Sequence, residues 1–372
     1  MSARSLVVYG ITGSIGTSTV KVLRAFPDRF RLIGASAGAN AAALKELTPQ
    51  FPSLQRSICT TDERELLTLL DLNPDLVVMA LGGKAGWKIT LEALRRGIPV
   101  ALANKESLVI AGYFLGRTVT GDRTKLIPID SEHAALMQLL SAVNPAHIRR
   151  AHITASGGAL LNLTRDQMLR ADAATALKHP VWSMGKKVTV DSATMVNKGL
   201  ELIEAYWLFP LRPDQLGVIV HPEVGVHAAL DLIDGTSIWQ AAVSDMTIPI
   251  AAALGYPDML PLLDHFPQFA YPHTRPLTFA APDLEKYSLL KLALELLHRE
   301  DYAGMVAYAI SDETAVEALL AGTISIGGLH RIVERSVDKF AGVKPPADIA
   351  GIARFIEEIE QFAATIRKEV TL

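Results

Sequence analysis

The strongest constraint on how this chain folds lies close to its start. Leu6-Val7-Val8-Tyr9 is an apolar, strand-forming run that gives way at once to Gly10-Ile11-Thr12-Gly13-Ser14-Ile15-Gly16. A helical stretch, Thr17 to Phe26, follows and is closed by Pro27-Asp28. Glycines so placed let the backbone turn tightly and approach a pyrophosphate, which then faces unpaired N–H groups at a helix start. The spacing is G-x-x-G-x-x-G, not the commoner G-x-G-x-x-G, so it has weight only between that strand and that helix. A tight turn with no ligand is the plainer alternative. The context favours a dinucleotide site.

Three further runs, Arg31-Leu32-Ile33-Gly34-Ala35, Asp75-Leu76-Val77-Val78-Met79-Ala80 and Pro99-Val100-Ala101-Leu102-Ala103, are short apolar strands set between helical stretches. Continuous apolar strands in that setting indicate a parallel sheet covered on both faces. An acid near the end of the second strand would mark NAD, because it holds the ribose 2′-hydroxyl. Gly34-Ala35-Ser36-Ala37-Gly38-Ala39-Asn40 has no carboxylate. That favours NADPH, with Ser36 and Asn40 placed to hydrogen-bond a 2′-phosphate. Asn104-Lys105-Glu106 follows the strand ending at Ala103, at the sheet end where ligands bind. Its plainer reading is a helix start, with Glu106 favouring the macrodipole.

The middle of the chain carries polar residues of another kind. Lys125-Leu126-Ile127-Pro128-Ile129 reads as a strand delivering Asp130 to a helix start, and Arg149 to Thr154 as one delivering Ser156-Gly157-Gly158. Asp191 to Phe209 reads as one long helix. Val224 to Leu232 and Thr236 to Val243 alternate around Asp234-Gly235, a hairpin signal. Asp130 and Glu132, with the remote Glu201, would make an all-oxygen site suited to Mg²⁺ or Mn²⁺. On spacing alone the plainer reading is stronger: Asp130 caps a helix and Glu201 lies on a solvated face. Ser192, Asn197 and Lys198 suit a phosphate, with Asn197 and Glu201 at i, i+4. In isolation Lys198–Glu201 would be a surface pair worth roughly 0.3–0.5 kcal/mol. The stretch from Ser156-Gly157-Gly158 to His179-Pro180-Val181-Trp182-Ser183-Met184-Gly185 reads as a mobile lid, hinged on its glycines and covered by Trp182 and Met184. A lone His179 is more often a structural hydrogen-bonding residue than a ligand.

Pro249 to Pro282 includes seven prolines, so Leu263 to Asp283 reads as an extended linker. Four amphipathic stretches follow, at 284–299, 303–321, 327–341 and 347–369, as a helical bundle. The expected α/β organisation is therefore a Rossmann-like NADPH domain over 1–124, a catalytic α/β domain with the lid over 125–262, the linker over 263–283, and the bundle over 284–372. At 372 residues the chain is too long for one core. A net charge of −3 gives no reason to expect nucleic acid or an anionic membrane as partner. Cys59, the single cysteine, excludes an internal disulfide. With no secretory leader pattern and no apolar run of membrane-spanning length, a cytoplasmic protein is expected.

Six blocks, in order, resemble the 1-deoxy-D-xylulose 5-phosphate reductoisomerases. They are Gly10-x-Thr12-Gly13-Ser14-Ile15-Gly16, Asn104-Lys105-Glu106, Asp130-Ser131-Glu132-His133, Ser156-Gly157-Gly158, His179-Pro180-x-Trp182-x-Met184-Gly185 and Val190-Asp191-Ser192-Ala193-Thr194-Met195-x-Asn197-Lys198-Gly199-Leu200-Glu201. The resemblance implies a metal held by Asp130, Glu132 and Glu201. It implies an NADPH site lined by Thr12, Gly13, Ser14, Ile15, Gly38, Asn40, Asn104, Glu106 and Gly185. Substrate contacts would come from Lys105, Ser131, Glu132, Ser156, His179, Ser192, Asn197, Lys198 and Glu201, with Lys105, Glu132 and Glu201 catalytic. The substrate would be a sugar phosphate and the assembly a homodimer. In the family a Lys or Arg is usual where this chain has Ala39.

Two other readings keep the glycine turn. A Rossmann-type NADP dehydrogenase without rearrangement needs no three-carboxylate site, and a non-catalytic NADP(H) sensor needs neither the acids nor Lys198. Metal dependence separates the first from the reductoisomerase, and turnover separates the second.

Overall fold

The computed structural model describes residues 3–120, 122, 124–178, 184–274 and 276–371, apart from the side chains of 117–120. Its β-strands are β1 (Arg4–Tyr9), β2 (Phe30–Ala37), β3 (Arg56–Cys59), β4 (Leu76–Met79), β5 (Val100–Leu102), β6 (Leu126–Pro128), β7 (Ile148–Ala155), β8 (Leu216–Val220), β9 (Val226–Leu232) and β10 (Ser237–Ala241). They form two sheets, in two compact units.

The first unit joins Met1–Gln138 to Asp245–Pro272. Its sheet runs β3-β2-β1-β4-β5-β6 and every pairing is parallel. Leu6 to Tyr9, Leu76 to Met79 and Val100 to Leu102 are all fully buried, as strands covered on both faces must be. The order reverses between β1 and β4, the switch point at which doubly wound sheets hold ligands. The chain returns to this unit for the helix Thr247–Gly255, which packs on the helix Ser14–Ala25 and on β6.

The second unit joins Leu139–Ser244 to His273–Leu372. Its sheet, β10-β9-β7-β8, is antiparallel except where β7 meets β8. The expected hairpin forms, with Gly235 at φ 88 in its turn. The helices Ser288–His298, Tyr302–Leu320, Ile326–Phe340 and Ile349–Glu369 fall close to the four expected stretches.

Four expectations change. Strand 126–128, expected to open the catalytic domain, pairs with β5 as the edge of the first sheet, so the chain does not divide at 124/125. The catalytic and C-terminal domains are one unit. The reason lies in the helix Val196–Leu208, buried at every residue but Asn197; a helix so buried needs cover on every side, and the helix Ser288–His298 packs against it. The long helix expected over 191–209 is two, Lys186–Thr194 and Val196–Leu208, parted by Met195 in a left-handed conformation (φ 62). Finally, 263–283 is no free linker: its first part belongs to the first unit, and Val220 and Ala280 exchange backbone hydrogen bonds of 2.8 and 3.0 Å in the second.

Candidate active site

In the first unit the turn after β1 is built as expected. Gly10 adopts φ 77, and a Cβ there would lie 2.5 Å from the Ala80 carbonyl oxygen on the neighbouring β4 connection. Only glycine allows both. The helix Ser14–Ala25 begins behind Gly13 with no side-chain cap and no acid in its first turn. Gly13 and Ser14 are exposed, with Thr12 and Ile15 half-buried beside them. Uncapped N–H groups and a positive helix end suit a pyrophosphate. Ser36 is used differently from expectation. It is fully buried, and its hydroxyl accepts the Gly10 N–H at 3.2 Å, so it braces the turn from below. Asn40 is exposed next to Gly38, but its side-chain oxygen caps the helix Ala41–Leu47 by accepting the Ala43 N–H at 3.0 Å.

Asn104 is 1% exposed and ties two connections together. Its amide nitrogen donates to the Gly83 carbonyl (2.7 Å) and to Glu106 (3.1 Å), and its oxygen accepts the Ser107 N–H (3.1 Å). It thus caps the helix Lys105–Thr120 while fixing the loop after β4. The next residue, Lys105, is buried with its ammonium 2.9 Å from Asp130.

Asp130 accepts the Glu132 N–H at 3.4 Å at the head of the helix Ser131–Ala142, and Ser131 donates to Glu132 at 2.6 Å. One oxygen of Asp130 and one of Glu132 lie within 4.8 Å of each other. Burial opposes ionisation of Asp130, but the Lys105 ammonium and His133 outweigh it and hold the carboxyl well below the usual carboxylate range. Asp130 and Glu132 thus bring two carboxylates together with a lysine against the first of them, a donor set of the kind a hard cation takes. The donors are oxygens, and the ammonium balances charge that a divalent ion would otherwise take.

In the second unit β7 delivers Ser156, whose hydroxyl accepts the Gly158 N–H at 3.1 Å. Gly158 has φ 65, and a Cβ there would lie 2.5 Å from the Ser192 carbonyl oxygen. That close approach sets the Ser156 turn directly on the helix bearing Ser192. Gly185 caps this helix, its carbonyl accepting the Thr189 N–H at 3.0 Å. Past the Met195 break, Asn197 and Lys198 both donate to Glu201. Lys198 and Glu201 are 5% and 1% exposed, so this is no surface pair. Breaking one partner of such a buried pair is far costlier than breaking a solvated one.

Comparisons with known proteins place the chain in a family. The sequence profile of 1-deoxy-D-xylulose 5-phosphate reductoisomerase matches residues 6–74 and 53–112, and two C-terminal-domain profiles of the same enzyme match 126–209 and 242–368. A 1-deoxy-D-xylulose 5-phosphate reductoisomerase of Geobacter metallireducens is 40% identical over 90% of this chain and 92% of its own. One from Rhodopseudomonas palustris is 37% identical over 99% and 95%. The chain belongs to the 1-deoxy-D-xylulose 5-phosphate reductoisomerase family. A crystal structure of DOX-P reductoisomerase in complex with NADPH, fosmidomycin and magnesium superposes with a TM-score of 0.86 at 34% identity, covering 98% of both chains. The Zymomonas mobilis enzyme in complex with NADPH gives 0.82 at 30% identity, covering 99% of this chain and 100% of that one.

This reductoisomerase is thus an NADPH-dependent oxidoreductase. Its expected residues fall into two sets. Thr12 to Ile15, Gly38, Asn40, Asn104 to Glu106 and Asp130 to Glu132 lie in the first unit; Ser156, Gly185, Ser192, Asn197, Lys198 and Glu201 lie in the second. His179 and Trp182 lie outside the described residues. Of the lid expected from 156 to 185, the part from Leu160 to Ala171 is packed into the second unit, since Leu160 and Met168 are fully buried and the Ala171 carbonyl accepts the Ile326 N–H at 3.0 Å, and 179–183 lie outside the described residues. Sequence reasoning missed the bracing role of Ser36 and also Glu204, fully buried one turn beyond Glu201. A second acid at i+3 on an otherwise apolar helix was a usable signal for the latter.

Proposed function

We propose that this reductoisomerase converts 1-deoxy-D-xylulose 5-phosphate into 2-C-methyl-D-erythritol 4-phosphate with one Mg²⁺ or Mn²⁺ held by Asp130, Glu132 and Glu201. NADPH takes the Gly10–Gly16 turn, and Ser156, Ser192, Asn197 and Lys198 take the substrate phosphate. The observation that carries this reading is that buried lysines face the acids, Lys105 against Asp130 and Lys198 against Glu201. The Lys105 ammonium holds the Asp130 carboxyl well below the usual carboxylate range, and carboxylate oxygens of this kind are the donors a hard divalent cation takes.

When bound, the metal supplies Lewis acidity at the ketone and the neighbouring hydroxyl, and NADPH supplies the hydride. Rearrangement of the carbon skeleton to a branched aldehyde precedes the reduction. Lys105 stabilises oxyanion charge as it develops, while Glu132 and Glu201 orient the reacting hydroxyls. The phosphate end, gripped by the Asn197–Lys198 segment and the two serines, anchors the substrate so that remote binding energy aligns the reacting end. His179 belongs to the same substrate set. A reducing, cytoplasmic setting suits Cys59, which is an exposed free thiol.

The test is NADPH oxidation with the deoxyxylulose phosphate, with and without EDTA. Oxidation that needs both sugar phosphate and Mg²⁺ or Mn²⁺ supports the proposal; reduction indifferent to EDTA points to a simple dehydrogenase, and NADPH binding without turnover to a sensor. Glu201→Gln is expected to abolish turnover and leave NADPH affinity nearly unchanged. Parallel loss of cofactor binding would show that the two functions are not separable.

A homodimer through β10 belongs to the same reading. The strand is a sheet edge with Ile238 and Trp239 40% and 38% exposed, and Trp239 rests on Phe279 at 4.5 Å. An open edge bearing large apolar side chains invites pairing with a second copy. Sedimentation of Trp239→Lys, expected to run as a monomer, checks it.

A further inference from the structure

The strongest unassigned feature is a fastening behind the turn after β7. Asp283 accepts the N–H groups of Glu285 (3.1 Å) and Lys286 (3.0 Å) and turns the chain into the helix Ser288–His298. The two residues before that helix reach back. Lys286 is 7% exposed, and its ammonium donates to the carbonyls of Leu160 (2.8 Å) and Leu161 (2.7 Å) while lying 4.9 Å from the centre of the Tyr287 ring. Tyr287 is 2% exposed and donates its hydroxyl to the Gly157 carbonyl at 3.3 Å.

A lysine in a surface ion pair is readily replaced. A buried ammonium aimed at two successive carbonyls of one loop is different, because those acceptors repay its desolvation only when the loop follows one path. All three tethered carbonyls lie just beyond Ser156. The peptide joining Gly157 to Gly158 is held at both ends, its oxygen on Tyr287 and its N–H on the Ser156 hydroxyl. Gly158 in turn abuts the Ser192 carbonyl. The loop path therefore sets the seat of Ser156 relative to Ser192.

We propose that Lys286 and Tyr287 are positioning residues for the substrate's phosphate end, acting through the loop 157–161. This rests on the reading of Ser156 and Ser192 as phosphate ligands. The test uses Lys286→Met, Lys286→Arg, Tyr287→Phe and Ser156→Ala in the full chain, with the deoxyxylulose phosphate and NADPH varied separately. Inorganic phosphate serves as a competing probe. For Lys286→Met, kcat/KM for the sugar phosphate is expected to fall roughly 10- to 100-fold, as for a misplaced binding group, mainly through KM. KM for NADPH stays within about twofold, since the cofactor contacts are untouched. Phosphate inhibition weakens in parallel, and Lys286→Arg, which also reaches both carbonyls, restores most of the loss.

If Ser156→Ala changes neither KM nor phosphate inhibition, the phosphate reading itself fails. If Ser156→Ala raises KM but folded Lys286→Met does not, the phosphate reading stands and the positioning role is wrong. Should Lys286→Met not fold, Tyr287→Phe decides, since it removes one hydroxyl and should give the same split at smaller size. Equal loss toward both substrates would overturn the proposal.

Discussion

The turns after β1 and after β7 look alike as sequence, each a buried strand running into small residues and glycine, yet the molecule uses them differently. After β1 the backbone at the helix start is left uncovered: Gly13 and Ser14 are exposed, the helix start has no side-chain cap, and the support comes from beneath, through Ser36. After β7 the backbone is covered, with Gly158 against Ser192 and the carbonyls of Gly157, Leu160 and Leu161 tied down by Tyr287 and Lys286. In the first turn Gly10 and Gly16 make room for neighbouring backbone, and Gly13 alone stays open to solvent. In the second turn Gly158 makes room for the Ser192 carbonyl, which brings two hydroxyl-bearing segments together and leaves no comparable open stretch. A glycine pattern therefore says that something comes close to the backbone, and the surrounding contacts decide what.

The contrast can be broken most forcefully at Gly158. Gly158→Ala puts a methyl against the Ser192 carbonyl at a φ that side chains resist, so a stability loss of about 3 kcal/mol and lost turnover are expected. Denaturant unfolding beside an activity assay checks this, and an unfolding midpoint unchanged from the parent would show that the close approach of Gly158 to Ser192 is not a packing constraint. Gly13→Ala should behave oppositely. Its φ of −79 is ordinary and its Cβ would lie 3.3 Å from the Gly10 oxygen, so stability should change by less than about 1 kcal/mol. NADPH affinity should nevertheless fall by about 2 kcal/mol, some 30-fold, because the methyl blocks the pyrophosphate. Fluorescence titration with a melting control reads both quantities. Ser36→Ala orphans the buried side of the Gly10 N–H and should cost about 1–2 kcal/mol of stability, seen in unfolding curves, with cofactor affinity following only as the turn loosens. Asn40→Ala should be mildest, about 0.5–1 kcal/mol for the lost cap. A larger change in the NADPH-to-NADH preference than in melting would show that Asn40 also serves the 2′-phosphate.

Features set by local pattern were readable in advance. The strands near residues 6, 32, 76 and 100, the hairpin at Asp234-Gly235 and the four C-terminal helices all follow from apolar periodicity and turn chemistry. The misreadings have tertiary causes. Leu126 to Pro128 looks like the first strand of a new domain until β5 takes it as a sheet edge. Met195 breaks an unbroken helical pattern with no glycine or proline to announce it. At the candidate site, residue types pointed to hard-cation and phosphate chemistry, but burial could not be read from spacing. Lys198–Glu201 is the plainest case, since i, i+3 predicts a solvated pair and only the packing of the rest of the unit around Val196–Leu208 takes it inside. Ser36 reads as a ligand residue from sequence because its partner, the Gly10 N–H, is twenty-six residues away.

The first unit is interrupted: its helix Thr247–Gly255 is encoded more than a hundred residues after β6. During synthesis, the nascent nucleotide sheet must therefore wait, with one flank of the helix Ser14–Ala25 uncovered, until the whole second sheet has left the ribosome. A fragment ending near residue 138 should be prone to aggregation despite containing all six strands, and chaperone dependence should concentrate in that interval.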